Sequence, residues 1–330
     1  MEYTRLGNSG LVVSRVAFGC EPLGGTDWGS FDIREVMTAV GAAVDTGINL
    51  FDTADVYGLG LSEERLAQAL GENRKKVFIA SKCGVAWLET GHPRRAATSL
   101  DASARHIYQA LDNSLRRLKL DCVPLYFVHW PDPKTPLDET MEALDRCRQA
   151  GKLRHIGLSN FPLEMIRKAA AITAITAVEL QYNLISREAE AEVLPYCREA
   201  GIGVLAYGVL RQGLLSGKYN ETASFDSSDR RSRLPHCSPA NLACHGETVQ
   251  RLRDAAAAIG KSAVQLGIRW ALENPAVCSA IVGAKSSLQI RESAGAGDWA
   301  GLPAARRCLE SSQSEDVVPC VSGKVCASNE

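Results

Sequence analysis

The sequence has no long hydrophobic run and no excess of charge of one sign. None of its apolar stretches approaches the roughly 18 residues that a membrane-spanning helix needs. The N-terminal segment MEYTRLGNSG lacks the basic start and the apolar stretch of a signal peptide. The net charge of -1 and the pI near 6.6 give no electrostatic reason to expect nucleic acid or an anionic membrane as a partner. We therefore expect a soluble, cytoplasmic protein whose partner is a small molecule.

Cysteine is plentiful, with 11 residues, but the cysteines are scattered along the chain. Several lie in or beside apolar runs, where free thiols behave as small hydrophobic groups, so we expect them to be reduced. The pairs His236-Cys237 and Cys244-His245 offer zinc ligands, but their spacing matches no known zinc motif and they lie in a predicted polar loop. We expect no metal site.

Short apolar or β-branched runs alternate with longer amphipathic segments along most of the chain. The eight predicted strands lie at residues 16–19, 50–52, 77–82, 125–129, 156–159, 177–181, 203–206 and 279–282. The first predicted helix starts at Asp32 and Glu35, which resemble a capping box, and stops at Gly47. Further helices are predicted at residues 62–70, 103–118, 137–150, 162–171, 189–199, 247–273 with a break at Gly260, and 286–294.

Strict alternation of strands and helices predicts parallel strands joined by helical crossovers. Eight such units over about 300 residues favour a closed (β/α)8 TIM barrel over a doubly wound sheet. The N-terminal Asn-Ser-Gly turn predicts a β-hairpin laid across one end. Residues 208–245 are predicted to form a long loop in the seventh unit, and loops of this length in a compact domain are usually functional. We expect residues 1–309 to form one domain and residues 310–330, which lose periodicity, to be a disordered tail.

Polar side chains close most of the predicted strands. Asp52, Lys82 and His129 end strands two, three and four, and Tyr57 follows in the second loop. In such a barrel the carboxyl ends of the strands converge on one mouth, where active sites lie. A tyrosine has a pKa of about 10, and a nearby lysine held by a carboxylate lowers it. A histidine beside the tyrosine can orient a carbonyl oxygen. The set predicts an enzyme with a tyrosine acid, although each residue alone is compatible with a structural role.

The source of electrons is not evident from spacing alone. There is no G-x-G-x-x-G after a strand, so a Rossmann dinucleotide site is not indicated. The glycine-rich segments at residues 19–25 and 58–60 fit turns as well as phosphate cradles.

Several motifs in matching order resemble the aldo-keto reductase family. They are FDTADVYG followed by SEE, IASKCG, LYFVHWP, GKLRHIGLSN, ELQYN, AYGVLRQGLLSGKY and AIVGAKSSLQIRES, spread from about residue 3 to residue 300. The resemblance implies an NADPH-dependent carbonyl reductase on a (β/α)8 barrel. It implies that Tyr57 is the general acid, that Lys82 and Asp52 lower its pKa, and that His129 positions the substrate carbonyl.

The resemblance also implies a cofactor site. Ser159, Asn160 and Gln181 would hold the nicotinamide carboxamide, and Tyr207 would stack on the ring. The pyrophosphate would lie against Leu210, Gly213, Leu215, Ser216 and Lys218. The adenosine 2′-phosphate would lie against Gly283, Lys285, Ser286 and Gln289. Because no acidic residue in GAKSSLQ would repel that phosphate, the sequence favours NADPH over NADH.

Substrate contacts are expected from Trp28, Trp87 and Trp130 and from the loops 21–30, 84–99 and 219–245. Each tryptophan is equally compatible with buried packing, and sugars, aldehydes and polycyclic ketones all remain possible substrates. Two alternatives stay open. The first is a physiological sugar or polyol dehydrogenase, and the second is an NADPH-binding regulatory protein like the β subunits of potassium channels.

Overall fold

The computed structural model describes residues 1–88 and 96–299 of the chain. The chain begins with an antiparallel hairpin of β1 (Tyr3–Arg5) and β2 (Val12–Ser14), in which Tyr3 lies opposite Ser14. Leu6, between the two strands, is fully buried, and a Cβ atom on Gly203 would lie only 2.5 Å from its Cδ1. Gly203 starts a barrel strand, so the hairpin closes the amino ends of the barrel as predicted.

Eight parallel strands form the closed barrel. The strands that follow the hairpin are β3 (Val16–Gly19), β4 (Leu50–Asp52), β5 (Phe78–Cys83), β6 (Val85–Trp87), β7 (Thr98–Leu100), β8 (Val123–Val128), β9 (Leu153–Ser159), β10 (Ile175–Gln181), β11 (Gly203–Tyr207) and β12 (Val277–Gly283). The order around the barrel is β3, β4, β5, β8, β9, β10, β11 and β12, and β12 pairs with β3 to close it. All eight predicted barrel strands are confirmed.

The helices surround the barrel. They are α1 (Ile33–Asp45), α2 (Leu61–Leu70), α3 (Ala104–Leu118), α4 (Leu137–Gln149), α5 (Leu163–Ile172), α6 (Val193–Ala200), α7 (Pro239–Ala258), α8 (Ala263–Leu272) and α9 (Ser287–Ala294). At the start of α1, the Asp32 carboxylate accepts from the Arg34 backbone N–H at 2.9 Å. Gly47 follows α1 with φ of 86°, a conformation that glycine adopts without strain. The predicted start at Asp32 and the stop at Gly47 are therefore confirmed, but the cap bonds Arg34 and no capping box with Glu35 forms.

Two expectations about loops are wrong in part. The predicted loop 208–245 ends early, because α7 starts at Pro239 and not near residue 247. Ser238 caps this helix by accepting from the Asn241 N–H, and proline suits the first helical position. The predicted loop 84–99 contains the antiparallel pair β6 and β7, with Val85 opposite Leu100.

The core has an inner and an outer layer. Inside the barrel, Leu50, Leu125, Phe127 and other apolar residues pack together. Gly157 faces the ring of Phe127, where a Cβ atom would lie 2.3 Å from Cε1, so only glycine leaves room for that ring. A larger layer of aliphatic side chains fills the space between the strands and the helices. The barrel interior is thus packed, and open space is left to the loops at its rim.

Some expectations fall outside the described residues. These are the tail 310–330, and residues 89–95 of the loop 84–99. Within the described part of the chain, no helix is long and apolar enough to cross a membrane.

Most described cysteines agree with the reduced state. Free thiols are carried by Cys20, Cys83, Cys122, Cys147, Cys197, Cys237 and Cys278. Cys244 is disulfide-bonded, so the expectation of reduced cysteines is wrong for this residue. Among the described residues, no group of three or more His, Cys, Asp or Glu side chains is arranged to hold a metal ion.

Candidate active site

A buried lysine lies at the carboxyl end of the barrel. Lys82, near the end of β5, is fully buried, and its Nζ donates to both carboxylate oxygens of Asp52, at 2.6 and 2.8 Å. A third bond, of 3.1 Å, goes to the backbone oxygen of Thr53. Asp52 ends the neighbouring strand β4, which is why the two side chains meet. The predicted pairing of Lys82 with Asp52 is therefore present.

A second carboxyl group, which the sequence analysis missed, lies against the same lysine. Glu179 Oε2 is 3.3 Å from Lys82 Nζ, and Glu179 is buried. Burial raises the pKa of Glu179 to about 8, repulsion from Asp52 adds to the rise, and Lys82 opposes it. Glu179 therefore holds a proton at neutral pH, and Asp52 is the closer, charged partner of Lys82. A charged residue inside the apolar run at 177–181 was the signal that could have identified it.

Attraction to these groups keeps Lys82 charged. Burial alone would lower the pKa of Lys82, but its acidic neighbours, Asp52 above all, outweigh burial and hold that pKa well above its usual value. Burial likewise raises the pKa of Asp52, against the effect of Lys82. The ammonium is therefore a fixed positive charge beneath the mouth of the barrel.

Tyr57 lies over this charge. It is half-buried in the turn after β4, and Lys82 Nζ lies 5.5 Å from the centroid of its ring. Burial raises the pKa of Tyr57 well above its usual value, and Lys82 lowers it while Asp52 raises it. Lys82 thus lowers the pKa of Tyr57, as expected. The expected net lowering of that pKa is wrong, because the effect of burial is larger than that of Lys82. The phenol is a neutral proton donor at physiological pH.

His129 completes the group. It follows β8, its backbone N–H donates to Cys83 O at 2.8 Å, and its ring lies edge-on to that of Tyr57, with centroids 5.8 Å apart. Burial lowers the pKa of His129 well below its usual value, and Lys82 and Arg230 lower it further. The imidazole is therefore neutral, with one N–H donor and no charge, and its Nδ1 has no hydrogen-bond partner among the described residues.

The ends of β9, β10 and β11 carry the residues expected at the nicotinamide. Ser159 is fully buried, and Asn160 Nδ2 donates to its Oγ at 3.0 Å and to His129 O at 3.1 Å. Tyr207 Oη donates to Asn160 Oδ1 at 2.7 Å. Gln181 pairs in register with Tyr207, and its buried Nε2 has no partner in the described part of the chain. This unmatched amide donor, beside other amide and hydroxyl groups, suits a carboxamide ligand.

The segment expected at the pyrophosphate follows β11. It holds Leu210, Gly213, Leu215, Ser216 and Lys218 in and around a short helical stretch at Arg211–Ser216. Gly213 has φ of 94°, and Ser216 Oγ donates to its oxygen at 2.6 Å. Leu215 is fully buried, so its side chain belongs to the core and only its backbone faces this segment. Lys218 is exposed and free to approach an anion.

The residues expected at the 2′-phosphate follow β12. Gly283 ends the strand and is exposed, and Ser286 caps α9. The Lys285 backbone N–H donates to Gln289 Oε1 at 2.8 Å, so the Gln289 side chain already bonds its own turn. Lys285 Nζ donates to Trp28 O and lies 5.1 Å from the ring centroid of Phe31. These four residues lie together at one edge of the mouth.

The three tryptophans expected at the substrate do not form one cluster. Trp130 stacks on His129, with ring centroids 6.3 Å apart. Trp28 forms an isolated bridge with Asp229, and Trp87 ends β6. No ring contact joins two of the three in the described residues. Trp130 is therefore adjacent to the reacting groups, whereas the other two lie on separate rim loops.

Beneath the turn of Tyr57 is a further buried ionic group. Glu63, in α2, accepts from Arg117 Nε at 2.6 Å and from Ser81 Oγ. Asp55 is buried, and neither of its carboxylate oxygens has a hydrogen-bond partner among the described residues. Burial raises the pKa of Asp55 well above its usual value, and repulsion from Glu63 adds to the rise. The raised pKa favours the protonated form of Asp55, and the Glu63–Arg117 pair packs against Gly60 in the turn that carries Tyr57.

The chain is similar to a large set of known proteins. A family model described as the aldo/keto reductase family matches residues 15–304. A curated relative, aldo-keto reductase YhdN of Bacillus subtilis, is 37% identical over 293 residues, which cover 88% of this chain and 87% of that protein. Aldo-keto reductase yakc [NADP(+)] of Schizosaccharomyces pombe is 32% identical, over 88% of this chain and 85% of that protein.

A solved structure gives the same result. The glycerol dehydrogenase AKR11B4 from Gluconobacter oxydans superposes with a TM-score of 0.86 at 32% identity, covering 96% of this chain and 98% of the other. Together with the closed barrel and the grouped lysine, aspartate, tyrosine and histidine, these matches show that the chain belongs to the aldo/keto reductase family, whose members are oxidoreductases that use a nicotinamide cofactor.

Proposed function

We propose that this protein reduces an aldehyde or ketone to an alcohol, with NADPH as the hydride source and Tyr57 as the proton donor. The observation that carries the proposal is the buried Lys82 ammonium, bound to Asp52 at 2.6 Å and placed 5.5 Å from the ring centroid of Tyr57. A fixed positive charge under a neutral phenol favours loss of the phenolic proton during the reaction.

The side chains divide the work between them. When bound, a nicotinamide cofactor supplies the hydride that adds to the carbonyl carbon. Tyr57 Oη gives its proton to the carbonyl oxygen, and Lys82 stabilises the phenolate that is left. His129, as a neutral donor, holds that oxygen in place and adds no charge. Asp52 keeps Lys82 in position and charged.

The cofactor assignment rests on the donors and acceptors at the rim. Ser159, Asn160 and Gln181 offer hydroxyl and amide groups for a carboxamide, and Tyr207 offers a ring beside them. The preference for NADPH rests on Lys285, which lies at the start of α9 with no acidic residue between positions 283 and 289. The S. pombe relative, whose name specifies NADP(+), supports this choice.

The direction of the reaction has a second candidate. The same four residues serve oxidation of an alcohol, with Tyr57 taking the proton back. The structural relative from G. oxydans is a glycerol dehydrogenase, which favours a polyol as the alternative substrate. The regulatory, channel-subunit-like alternative requires cofactor binding without turnover.

We also propose that residues 1–309 form one domain and that the protein acts in the cytoplasm on a small molecule. The near-neutral net charge of -1 supports a small-molecule partner rather than nucleic acid.

The test is turnover of NADPH with a panel of aldehydes and ketones, beside Tyr57→Phe. We expect Tyr57→Phe to lower kcat by about 10² to 10⁴, because it removes the proton donor and leaves the ring. Tyr108→Phe is a matched control, since Tyr108 packs against the core from the outer helix α3. Full activity in Tyr57→Phe contradicts the mechanism, and tight NADPH binding with no turnover of any carbonyl favours the regulatory alternative.

A further inference from the structure

An arginine and a glutamate from two different loops meet at the mouth of the barrel. Arg230, in the loop between β11 and α7, donates through Nη1 to Glu21 Oε1, just after β3. The side chains keep 35% and 30% of their surfaces exposed, so a small molecule can reach both. The bond uses one of the five N–H groups of the guanidinium, and Glu21 Oε2 accepts no bond from a described residue in the structure.

The backbone of both loops places this pair beside Tyr57. The segment that starts at Glu21 packs directly on the turn of Tyr57, because a Cβ atom on Gly24 would lie 2.9 Å from Tyr57 C. The Arg230 backbone N–H donates to Asp27 O at 2.9 Å. The Arg230 guanidinium lies 5.9 Å from the ring centroid of Trp28.

The charge of Arg230 reaches the reacting groups. Arg230 is among the causes that lower the pKa of His129, after burial and Lys82. Glu21 raises the pKa of Arg230 against the lowering effect of burial, and Asp27, Tyr57 and Tyr207 add smaller contributions to the rise. The guanidinium is therefore within electrostatic reach of Tyr57, Tyr207 and His129, the groups around the proposed position of the substrate carbonyl.

Each arginine of this segment is neutralised by a carboxylate. Arg231 pairs with Asp229, and Arg233 Nη2 lies 3.3 Å from Asp27 Oδ1. Arg230 pairs with Glu21 in the same way. The mouth therefore presents donors and acceptors without a net positive charge from these three arginines. Such a surface suits a hydroxyl group, which both donates and accepts, better than a carboxylate or phosphate.

We propose that Glu21 and Arg230 form a subsite for a substrate hydroxyl group, so that the enzyme prefers uncharged carbonyl compounds with a hydroxyl on the carbon next to the carbonyl. The inference rests on the proposed function. The hydroxyl donates to Glu21 Oε2 and accepts from an Arg230 N–H, and it is unchanged by the reaction. Hydride still adds to the carbonyl carbon and the Tyr57 proton to its oxygen, which turns an α-hydroxy aldehyde into a vicinal diol.

The test compares three small aldehydes with NADPH: glyceraldehyde, propanal and glyoxylate. Glyceraldehyde carries a hydroxyl on the carbon next to the carbonyl and a second one on the terminal carbon, propanal carries neither, and glyoxylate has a carboxylate next to the carbonyl. Because hydrogen bonds to charged groups are involved, we expect kcat/KM for glyceraldehyde to exceed that for propanal by about tenfold or more. We expect kcat/KM for glyoxylate to be lower than that for glyceraldehyde.

Two variants change the subsite in different directions. Glu21→Gln leaves Arg230 without its counter-charge, so the ratio of kcat/KM for glyoxylate to that for glyceraldehyde should rise about tenfold. The double variant Glu21→Leu with Arg230→Leu makes the subsite apolar, so glyceraldehyde and propanal should become nearly equal substrates. Arg233→Gln is the matched control. It removes the ion pair of Arg233 with Asp27, which joins the same two loops, and the Arg233 side chain is 52% exposed.

The outcomes separate this inference from the proposed function. NADPH affinity, measured by fluorescence, should be unchanged in all three variants. Equal turnover of glyceraldehyde and propanal by the unmodified protein overturns the subsite. Unchanged ratios of kcat/KM in the Glu21 and Arg230 variants also overturn it. If NADPH binding is weaker in those variants as well, the pair belongs to the cofactor site. In each of these cases Tyr57-dependent reduction persists, whereas failure of the proposed function removes turnover of every aldehyde.

Discussion

Glu179 is the residue that most changes the electrostatics of the site. Asp52 and Glu179 both contact Lys82, and a single ammonium balances a single carboxylate. The carboxyl of Glu179, whose pKa burial raises to about 8, therefore keeps its proton at neutral pH. Unfolding returns that group to its ordinary pKa of 4.5. At Glu179, the folded protein thus binds one more proton than the unfolded chain between these two pH values.

This difference predicts a pH-dependent stability that Glu179→Gln abolishes. A group whose pKa is raised on folding stabilises the protein fully below its unfolded pKa, and the stabilisation is lost as the pH rises through the folded pKa. The free energy of unfolding of the unmodified protein, relative to Glu179→Gln, should therefore fall between pH 4.5 and about 8 and then level off. Urea unfolding of both proteins across this range measures it. The histidines titrate in both proteins and cancel. A difference that stays constant with pH contradicts the protonated state of Glu179.

The Glu63–Arg117 pair carries a second prediction at the scale of the residue. Both side chains are buried, and Arg117 Nε lies 2.6 Å from Glu63 Oε2. The neighbouring Asp55, whose pKa is raised, is a second carboxyl group and offers Glu63 no positive charge, so Arg117 is the charge that compensates Glu63. Arg117→Leu strands the charge of Glu63, so we expect a loss of about 3 to 5 kcal/mol in the free energy of unfolding. Arg146→Leu is the control, because its ion pair with Glu142 is mostly exposed and should leave stability unchanged. Similar effects in the two variants contradict the buried role of Arg117.

At the scale of the elements, the rim depends on a close approach of two backbone segments. The segment Glu21–Gly24, after β3, lies against Gly58 in the turn of Tyr57. A Cβ atom on Gly24 would lie 2.8 Å from Gly58 N and 2.9 Å from Tyr57 C. Since the blocking atoms are backbone, neither segment can yield by rotating a side chain.

Gly24→Ala should therefore separate these two segments. We expect a cost of about 1 to 3 kcal/mol in the free energy of unfolding from overpacking, and a fall in kcat, because Tyr57 moves relative to Lys82. Gly41→Ala is the matched control. Gly41 lies within α1 with nothing within 4 Å of its Cβ position, so alanine should stabilise the helix by about 0.5 to 1 kcal/mol and leave kcat unchanged. Equal kinetics in the two variants contradict the role given to this contact.

The elements that the sequence predicted well are those whose signal is local. Each barrel strand is a short apolar run and each helix has a periodic face, so the pattern within one segment suffices to identify it. α7 was placed too late because its first turns, around Asn241, are polar, and the capping residue Ser238 was not recognised. The pair β6–β7 depends on contact between Val85 and Leu100, which no single segment encodes.

The same distinction holds in the site. Asp52, Lys82 and His129 could be predicted because each closes its own strand or follows it directly. Glu179 lies within a strand, and only the closed barrel brings its side chain to Lys82. Arg230 is 209 positions from Glu21, so their contact follows from the path of a loop and not from spacing.

At the scale of the whole molecule, the barrel assigns different tasks to its two ends. The hairpin β1–β2 closes the amino ends, with Leu6 packed against the start of β11. The carboxyl ends carry the lysine site, the amide groups after β9 and β10, and the two lysines Lys218 and Lys285. A dinucleotide that lies across this rim would join strands on opposite sides of the barrel, so its binding should stabilise the entire fold.

This arrangement predicts that the two nicotinamide cofactors stabilise the protein unequally. A ligand at 100 times its Kd raises the free energy of unfolding by about 2.7 kcal/mol, so differences in affinity appear as differences in Tm at equal concentration. We expect NADPH to raise the Tm more than NADH, because only NADPH places a 2′-phosphate near Lys285 at the start of α9. Lys285→Met should lower the Tm shift for NADPH to that for NADH. Lys218→Met, at the exposed position after Ser216, should weaken both shifts equally, since both cofactors contain the pyrophosphate. Equal losses for both cofactors in Lys285→Met would show that Lys285 contacts a group they share, and the preference for NADPH would then need another origin.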